Sequence, residues 1–309
     1  MATRATREAF GETLIELVEE GLDIVAVDAD LAGSTTLAKF GAAYPERMFD
    51  VGIAEQDMIG VASGLSLTGK TAFTSSFAVF GTGRCYDQIR NTVADSKLNV
   101  KICPTHAGVT VGEDGASHQM LEDITLMRVL PNMQVLVPAD YQAAKTAVRL
   151  AATTDGPVYV RLGRHKVPEV YTDGFEGGLP YAHVIREGSD VSLCACGVEV
   201  SHALAAAELL EKKGISAEVI DVFSVKPLDE EVILTSVAKT GHVVTCEEHM
   251  VWGGMGSAIA ELLAAKLPTP QAFVGMSSFG VSANGDLLLE HFGLDATGIA
   301  LKAEELLAR

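Results

Sequence analysis

The chain is poor in aromatic residues, at 6% of 309, and has a single tryptophan. Its cores must therefore be filled by aliphatic side chains, and an apolar content of 48% suffices for two ordinary domains. There are only five cysteines, an odd number with no CxxC spacing, which excludes a disulfide framework and a cysteine-based zinc site. Cys194 and Cys196 alternate within an apolar run and read as strand residues, reduced and buried, which fits a cytoplasmic location. Basic residues are scarce as well. With a formal net charge of −18 there is no cationic stripe to neutralise phosphates, so nucleic acid is excluded as a partner. An anionic small substrate stays open, because it needs only local Arg or His. No apolar run reaches the roughly 18 residues of a membrane span, so no membrane contact is expected. MATRATREAF lacks the apolar core of a signal peptide. No P-loop occurs, and no GxGxxG follows a strand and opens a helix, so a nucleotide held in the Rossmann manner is not indicated.

What is present is a regular alternation of strand and helix. Thr6 to Glu20 carries Phe10, Leu14, Leu17 and Val18 on one face and stops at Gly21. Strands are expected at DIVAVDA, near 48–51, 71–75, 100–103, 134–137 and 158–162, with helices between them, notably 83–96 and 141–153. Such alternation predicts a mostly parallel sheet with helices on both faces. The pattern lapses over 166–189, where PEVYTDGFEGGLPYAH reads as a linker, and resumes with strands near 191–196, 217–222, 242–247 and 271–274. The expected organisation is thus an α/β domain over 1–165, a linker over 166–189 and a smaller α/β domain over 190–309.

The densest polar segment is THAGVTVGEDGASHQMLED, 105–123. It holds His106 and His118, four carboxylates (Glu113, Asp114, Glu122, Asp123) and Gly108, Gly112 and Gly115. Glycine lets backbone approach a ligand closely, and the polar side chains can then face it. The histidine spacing is not that of a metal site. Ligands of parallel sheets bind at the carboxyl ends of strands, and other polar groups follow the same ends. These are Asp28, Asp30 and Ser34 in VDADLAGS, Glu55 in GIAEQDM, Phe77 and Phe80 in TSSFAVF, and Arg161 and Arg164 in YVRLGR. If the sheet is parallel they converge on one edge.

GIAEQDM, SSFAVF, THAGVTVGEDGASHQ and LPNMQVLVPAD together resemble the transketolase family of thiamine diphosphate enzymes, along essentially the whole chain. The resemblance implies a pyrimidine-binding domain followed by a transketolase C-terminal domain. It also implies what lies elsewhere. Ordinary transketolases carry a preceding domain whose GDG motif and downstream Asn hold magnesium and the diphosphate, and this sequence has no such motif. The chain therefore looks like the C-terminal subunit of a split transketolase. Its partner would be an N-terminal subunit carrying the diphosphate-binding domain, and two copies of each would form a heterotetramer. Glu55 matches the family glutamate that hydrogen-bonds N1′ of the cofactor's aminopyrimidine. Phe77 and Phe80 match the aromatic wall around that ring. Gly83 stands where the family often has a further aromatic, with Tyr86 the nearest replacement. Asp30 matches an aspartate close to the cofactor. Arg7, Ser34, His106 and Arg164 match positions that contact a sugar phosphate, where the planar fork of Arg suits the anion. Asp114 matches the residue that reads a substrate hydroxyl, and His118 a catalytic group near the reacting carbonyl. Arg161 competes with Arg164 as phosphate ligand, or belongs to a buried structural pair. In the second domain the Gly-rich turn of CEEHMVWGGMGSAIAE is a candidate anion site or subunit contact. The expected activity is transfer of a two-carbon ketol unit between sugar phosphates. Chemistry like that of 1-deoxyxylulose-5-phosphate synthase, a transketolase for a branched or sulfonated sugar, and a non-catalytic assembly subunit are the alternatives.

Overall fold

The computed structural model describes residues 3–171 and 175–309, so part of the expected linker, 172–174, lies outside the described residues. The strands in chain order are β1 (Thr3–Ala5), β2 (Ile24–Asp28), β3 (Met48–Asp50), β4 (Thr71–Ser75), β5 (Val100–Ile102), β6 (Gln134–Leu136) and β7 (Val158–Val160). They continue with β8 (Lys166–Pro168), β9 (His183–Arg186), β10 (Val191–Ala195), β11 (Ala217–Asp221), β12 (Ser224–Lys226), β13 (Val243–Met250) and β14 (Gln271–Met276). One sheet has the order β12-β6-β7-β5-β4-β2-β3, the other β14-β13-β10-β11-β9. Every pairing in them is parallel except those of the edge strands β12 and β9. The expected class, two open and mostly parallel α/β sheets, is the observed one. Among the described residues no helix is long and apolar enough to cross a membrane.

The central strands are continuous apolar runs because helices cover both faces of each sheet. β2 reads IVAVD and is buried at every position, as is β10, VSLCA. The helix Tyr141–Thr153 shows the complementary logic. Asp140 caps it by accepting from the Ala143 N–H at 2.8 Å, and Ala144, Ala147, Val148 and Ala151 form its buried stripe. All five cysteines are free and buried.

Four short strands are not legible in the residue pattern. β8 and β9 both lie in the stretch read as linker; β9 pairs with β11, and β8 pairs with β1 at the start of the chain. β12, just before Pro227, leaves the second sheet's run of sequence to pair with β6 in the first. The two sheets are tied further by a shared apolar cluster in which Val25, Ile102 and Val135 join Ile220, Ile233 and Met255. The helix expected over 83–96 is irregular. It consists of wide π-type turns at Val79–Arg84 and Ile89–Ala94 around a short α-helical turn at Tyr86–Gln88.

Candidate active site

The parallel register sets the carboxyl ends of the strands on one edge. Asp28 lies opposite Asp50 of β3 and Ser75 of β4, and Ile102 of β5 lies opposite Tyr159 of β7. Beyond those ends, an isolated bridge between Phe77 and Thr105 continues the β4–β5 pairing, with the Ala78 N–H donating to the Thr105 carbonyl at 2.7 Å. This lays Phe77 against His106, with ring centroids 3.8 Å apart. Phe80 stacks beside Phe77 at 6.1 Å, and His118 meets both rings edge-on, at 5.4 Å from Phe80 and 6.3 Å from Phe77.

His106 is buried, and its backbone is held at φ 60°, in the left-handed region. Its Nε2 lies 3.3 Å from an Arg7 guanidinium nitrogen and its Nδ1 2.7 Å from the Thr105 hydroxyl. A guanidinium can only donate, so Nε2 accepts and the ring proton sits on Nδ1, donated to Thr105. Burial, then the charges of Arg7 and Arg164, push this imidazole down to about 3, which keeps it neutral. Arg7 also donates to the Ser34 carbonyl at 2.7 Å, while its buried Nε has no partner. Burial, followed by repulsion from Arg164, lowers the Arg7 pKa. Arg164 in turn donates to the Val111 carbonyl at 3.0 Å and pairs with Asp114 at 3.3 Å. Two guanidinium groups held close enough to disfavour each other, beside a neutral imidazole, form a pocket that an anion would relieve.

Glu55 begins the helix Glu55–Ser66 and is only 3% exposed. Both of its carboxylate oxygens accept from the same Arg84 nitrogen, each at 3.0 Å. The Arg84 guanidinium also lies over the Phe80 ring, 4.3 Å from its centroid. Arg84 thus closes a chain of contacts running from Glu55 through Phe80, His118, Phe77 and His106 to Arg7 and Ser34, with Arg164 near enough to repel Arg7. The sequence reading missed it, although four-residue spacing from Phe80 on a helical turn was a usable signal. Tyr86 does not take the vacant aromatic position, because its ring packs against the apolar core. Asp30 stands apart. It is exposed at φ 61°, its N–H donates to Asp50 at 3.1 Å, and no side-chain contact among the described residues joins it to the cluster.

Arg161 belongs to the structural alternative. It is buried, donates to Asp123 at 2.7 Å and to the Glu248 carbonyl at 2.9 Å, and Asp123 also accepts from the Tyr159 hydroxyl at 2.6 Å. The 105–123 loop is clamped from the second domain. The Thr110 N–H donates to the Glu248 carboxylate at 2.5 Å, and Gln119 donates to the Val281 carbonyl at 2.9 Å. Gly108 is obligatory there, with φ 89° and no room for a Cβ beside the Glu248 carboxylate. Its buried half therefore anchors the loop, while Asp114 and Ser117 are exposed and His118 half-buried. In the second domain the Gly-rich turn is filled from within, because Glu247 accepts from the Met255 and Gly256 N–H groups at 2.7 and 2.9 Å.

Residues 2–169 match the family "Transketolase, pyrimidine binding domain", and residues 180–299 match "Transketolase, C-terminal domain". A protein named as a transketolase C-terminal section in Methanocaldococcus jannaschii is 46% identical over 306 residues, covering 98% of this chain and 96% of that one. A 6-deoxy-6-sulfo-D-fructose transketolase subunit from a Clostridium strain is 42% identical, covering 98% and 94%. Among solved structures, one described as a split-gene transketolase in an inactive β4 tetramer superposes with a TM-score of 0.91 at 47% identity, covering 99% of each chain.

Proposed function

The chain belongs to the transketolase family, and from that premise we propose that it is the C-terminal subunit of a split, thiamine-diphosphate-dependent transketolase. It moves a two-carbon ketol unit between sugar phosphates once an N-terminal subunit supplies the half that holds magnesium and diphosphate. The observation that carries this reading is the continuous chain of contacts from the buried Glu55, through Arg84, the Phe77–Phe80 wall and His118, to the Arg7–His106 pair, with the Arg164 charge facing that pair.

The residues fit one end of the cofactor. Phe77 and Phe80 offer ring faces to an aminopyrimidine, and Glu55 offers a buried carboxyl to its N1′. Asp30, at the rim of the same strand edge, is the remaining cofactor-side group. Bound thiamine diphosphate supplies the electron sink for breaking and forming the carbon–carbon bond beside a ketone. The chain's own work is placement. Glu55 holds the pyrimidine and its exchangeable proton. His118 stands where a substrate carbonyl meets the ring wall. Arg7, Arg164, His106 and Ser34 surround the anionic tail, with the neutral His106 accepting from Arg7 and so orienting that guanidinium without adding charge. Asp114, oriented by Arg164, reads a hydroxyl. The match to a protein named as a transketolase C-terminal section, covered over 96% of its own length, supports assigning diphosphate and magnesium to a partner. The related inactive β4 tetramer supports self-association of this chain and the need for that partner, in an assembly with two copies of each subunit.

The test is ketol transfer from xylulose 5-phosphate to ribose 5-phosphate by the chain copurified with its partner. Activity is expected in the complex and not in the chain alone. Glu55→Ala should lower kcat by about 10³-fold, the scale of a lost proton-transfer group, with assembly intact. Cofactor binding without ketol transfer would overturn the substrate assignment. The second reading is a sulfonated sugar, favoured by the 42% identity to the sulfofructose transketolase subunit and by the Arg pair, which suits either anion. 6-Deoxy-6-sulfofructose as donor in the same assay separates the two.

A further inference from the structure

Arg84 makes two contacts that no motif announces. One of its nitrogens is shared by both oxygens of Glu55 at 3.0 Å, and its guanidinium carbon sits 4.3 Å above the Phe80 ring. A guanidinium is a flat, delocalised group with N–H donors along its edge and a face that stacks on aromatics. An aminopyrimidine has the same two surfaces, a flat face and a nitrogen-bearing edge. The partners Arg84 engages are the two that the proposed site reserves for that ring, a carboxyl for the edge and an aromatic wall for the face.

The surroundings allow Arg84 to leave without unfolding anything. Glu55 is 3% exposed, but the Arg84 side chain is 47% exposed, so its pairing is made at the mouth of the pocket. Its backbone stays fixed, because Gln56 donates to the Arg84 carbonyl at 3.2 Å from the same helix that carries Glu55. Only side-chain torsions need change. The residue ends a wide π-type turn, Val79–Arg84, a form of helix distortion often found at functional sites.

We propose that Arg84 is a stand-in for the aminopyrimidine: in the chain without cofactor it occupies the pyrimidine subsite, keeping Glu55 paired and Phe80 covered, and the cofactor must displace it. This rests on the thiamine diphosphate reading given above. The consequence is competition. A site whose binding-competent state is only partly populated shows an apparent Kd raised by that fraction. An Arg84-filled state holding about nine-tenths of the population would weaken cofactor binding about tenfold.

The experiment is calorimetric titration of thiamine diphosphate with magnesium into the chain copurified with its partner, as wild type, Arg84→Met and Arg84→Lys, with melting curves to confirm that all three are folded. Arg84→Met keeps the volume and removes the fork, and its Kd should fall about tenfold relative to wild type. Arg84→Lys keeps the charge and a single donor for Glu55 but loses the planar face that stacks on Phe80, so its Kd should lie between the two. An unchanged or weaker Kd for Arg84→Met, with normal wild-type binding, overturns the stand-in role alone. Failure of the wild-type complex to bind thiamine diphosphate overturns the cofactor reading and this inference with it.

Discussion

The two sheets share an architecture but use their carboxyl edges in opposite ways. The edge of the first carries groups that reach solvent. The side chains of Arg84, Arg164 and Asp114 are 47%, 37% and 38% exposed. At the edge of the second, Glu199, Asp221, Glu247 and Glu248 are all buried. Glu248 meets the loop of the first domain through Thr110, Glu247 caps the turn before the helix Met255–Lys266, and Asp221 accepts from the Tyr171 hydroxyl at 2.7 Å. Burial pushes Asp221 up to about 7 and Glu199 well above the carboxylate range. A parallel sheet has its natural ligand crevice at this edge. In the second domain that crevice is a socket, filled by the chain's own 105–123 loop, and the loop's far side is left free to build the site on the first domain. One edge is finished by protein and the other is left open.

The sharpest way to break this division is to empty the socket's central ion pair. Burial alone would push Asp123 up, but the Arg161 guanidinium holds it below the usual carboxylate range. Arg161→Met leaves Asp123 and Glu248 buried with no cation. Removing one partner of a buried pair costs roughly 3–5 kcal/mol, and the denaturant midpoint should fall accordingly. Because the same pair holds the base of the 105–123 loop, cofactor binding should weaken too. Asp123→Asn combined with Arg161→Met should recover part of the stability, since Asp123 is then no longer an orphaned charge and only Glu248 remains without its cation. Unaltered stability in Arg161→Met would show that the socket does not hold the domains together.

The second test sits on the open edge. An imidazole protonates near 6.5 when unfolded, whereas His106 in the fold is pushed down to about 3. Between those values the unfolded chain binds the extra proton. The stability associated with neutral His106 is therefore fully present above pH 6.5 and is lost as pH falls towards 3, at about 1.4 kcal/mol per pH unit. From pH 6.5 to 5 the loss is about 2 kcal/mol. Asp28, raised to about 6 by burial, has the opposite slope, so the quantity to read is the difference between wild type and His106→Asn. The variant should be flatter across this range. Parallel curves would mean that His106 is not held neutral.

How much of this was legible follows from where the signals lie. Strand–helix alternation is a local property, and it placed the helix Tyr141–Thr153 and most of the parallel strands. GIAEQ, SSFAVF and the 105–123 loop are local as well, and they led to Glu55, Phe77, Phe80, His106 and His118, which the fold brings to one strand edge. The misses are long-range. β12 is three residues ending before Pro227 and is defined by its partner β6, so no periodicity marks it. Glu248 reads as one more strand residue until Thr110 and Gly108 are packed on it. Arg84 is a lone arginine until Glu55, 29 positions away, accepts from it. Sequence alone leaves Arg161 between phosphate ligand and structural pair, because both readings require an arginine at the end of a strand and only the position of Asp123 decides between them.

The mildest test asks whether the second domain acts on the site through anything other than its socket. The helix Ala296–Leu307 packs Ile299, Ala300, Ala303 and Leu306 into a core shared with β10, β11, β13 and β14 and with Val109 and Leu121 of the 105–123 loop. Asp295 caps it, accepting from the Gly298 N–H at 2.9 Å. Without the cap that N–H loses its partner in the first turn, which costs about 1 kcal/mol. Asp295→Ala should lower the denaturant midpoint by that amount while leaving the Kd for thiamine diphosphate and the rate of the reconstituted complex unchanged. The cap bond is made within the helix's own first turn and not to the 105–123 loop, so its loss should leave the packing of Val109 and Leu121, and with it the open edge, in place. A fall in cofactor affinity that scales with the lost stability would instead show that the two edges are coupled through the whole domain, and that the socket is only the nearest part of a larger support.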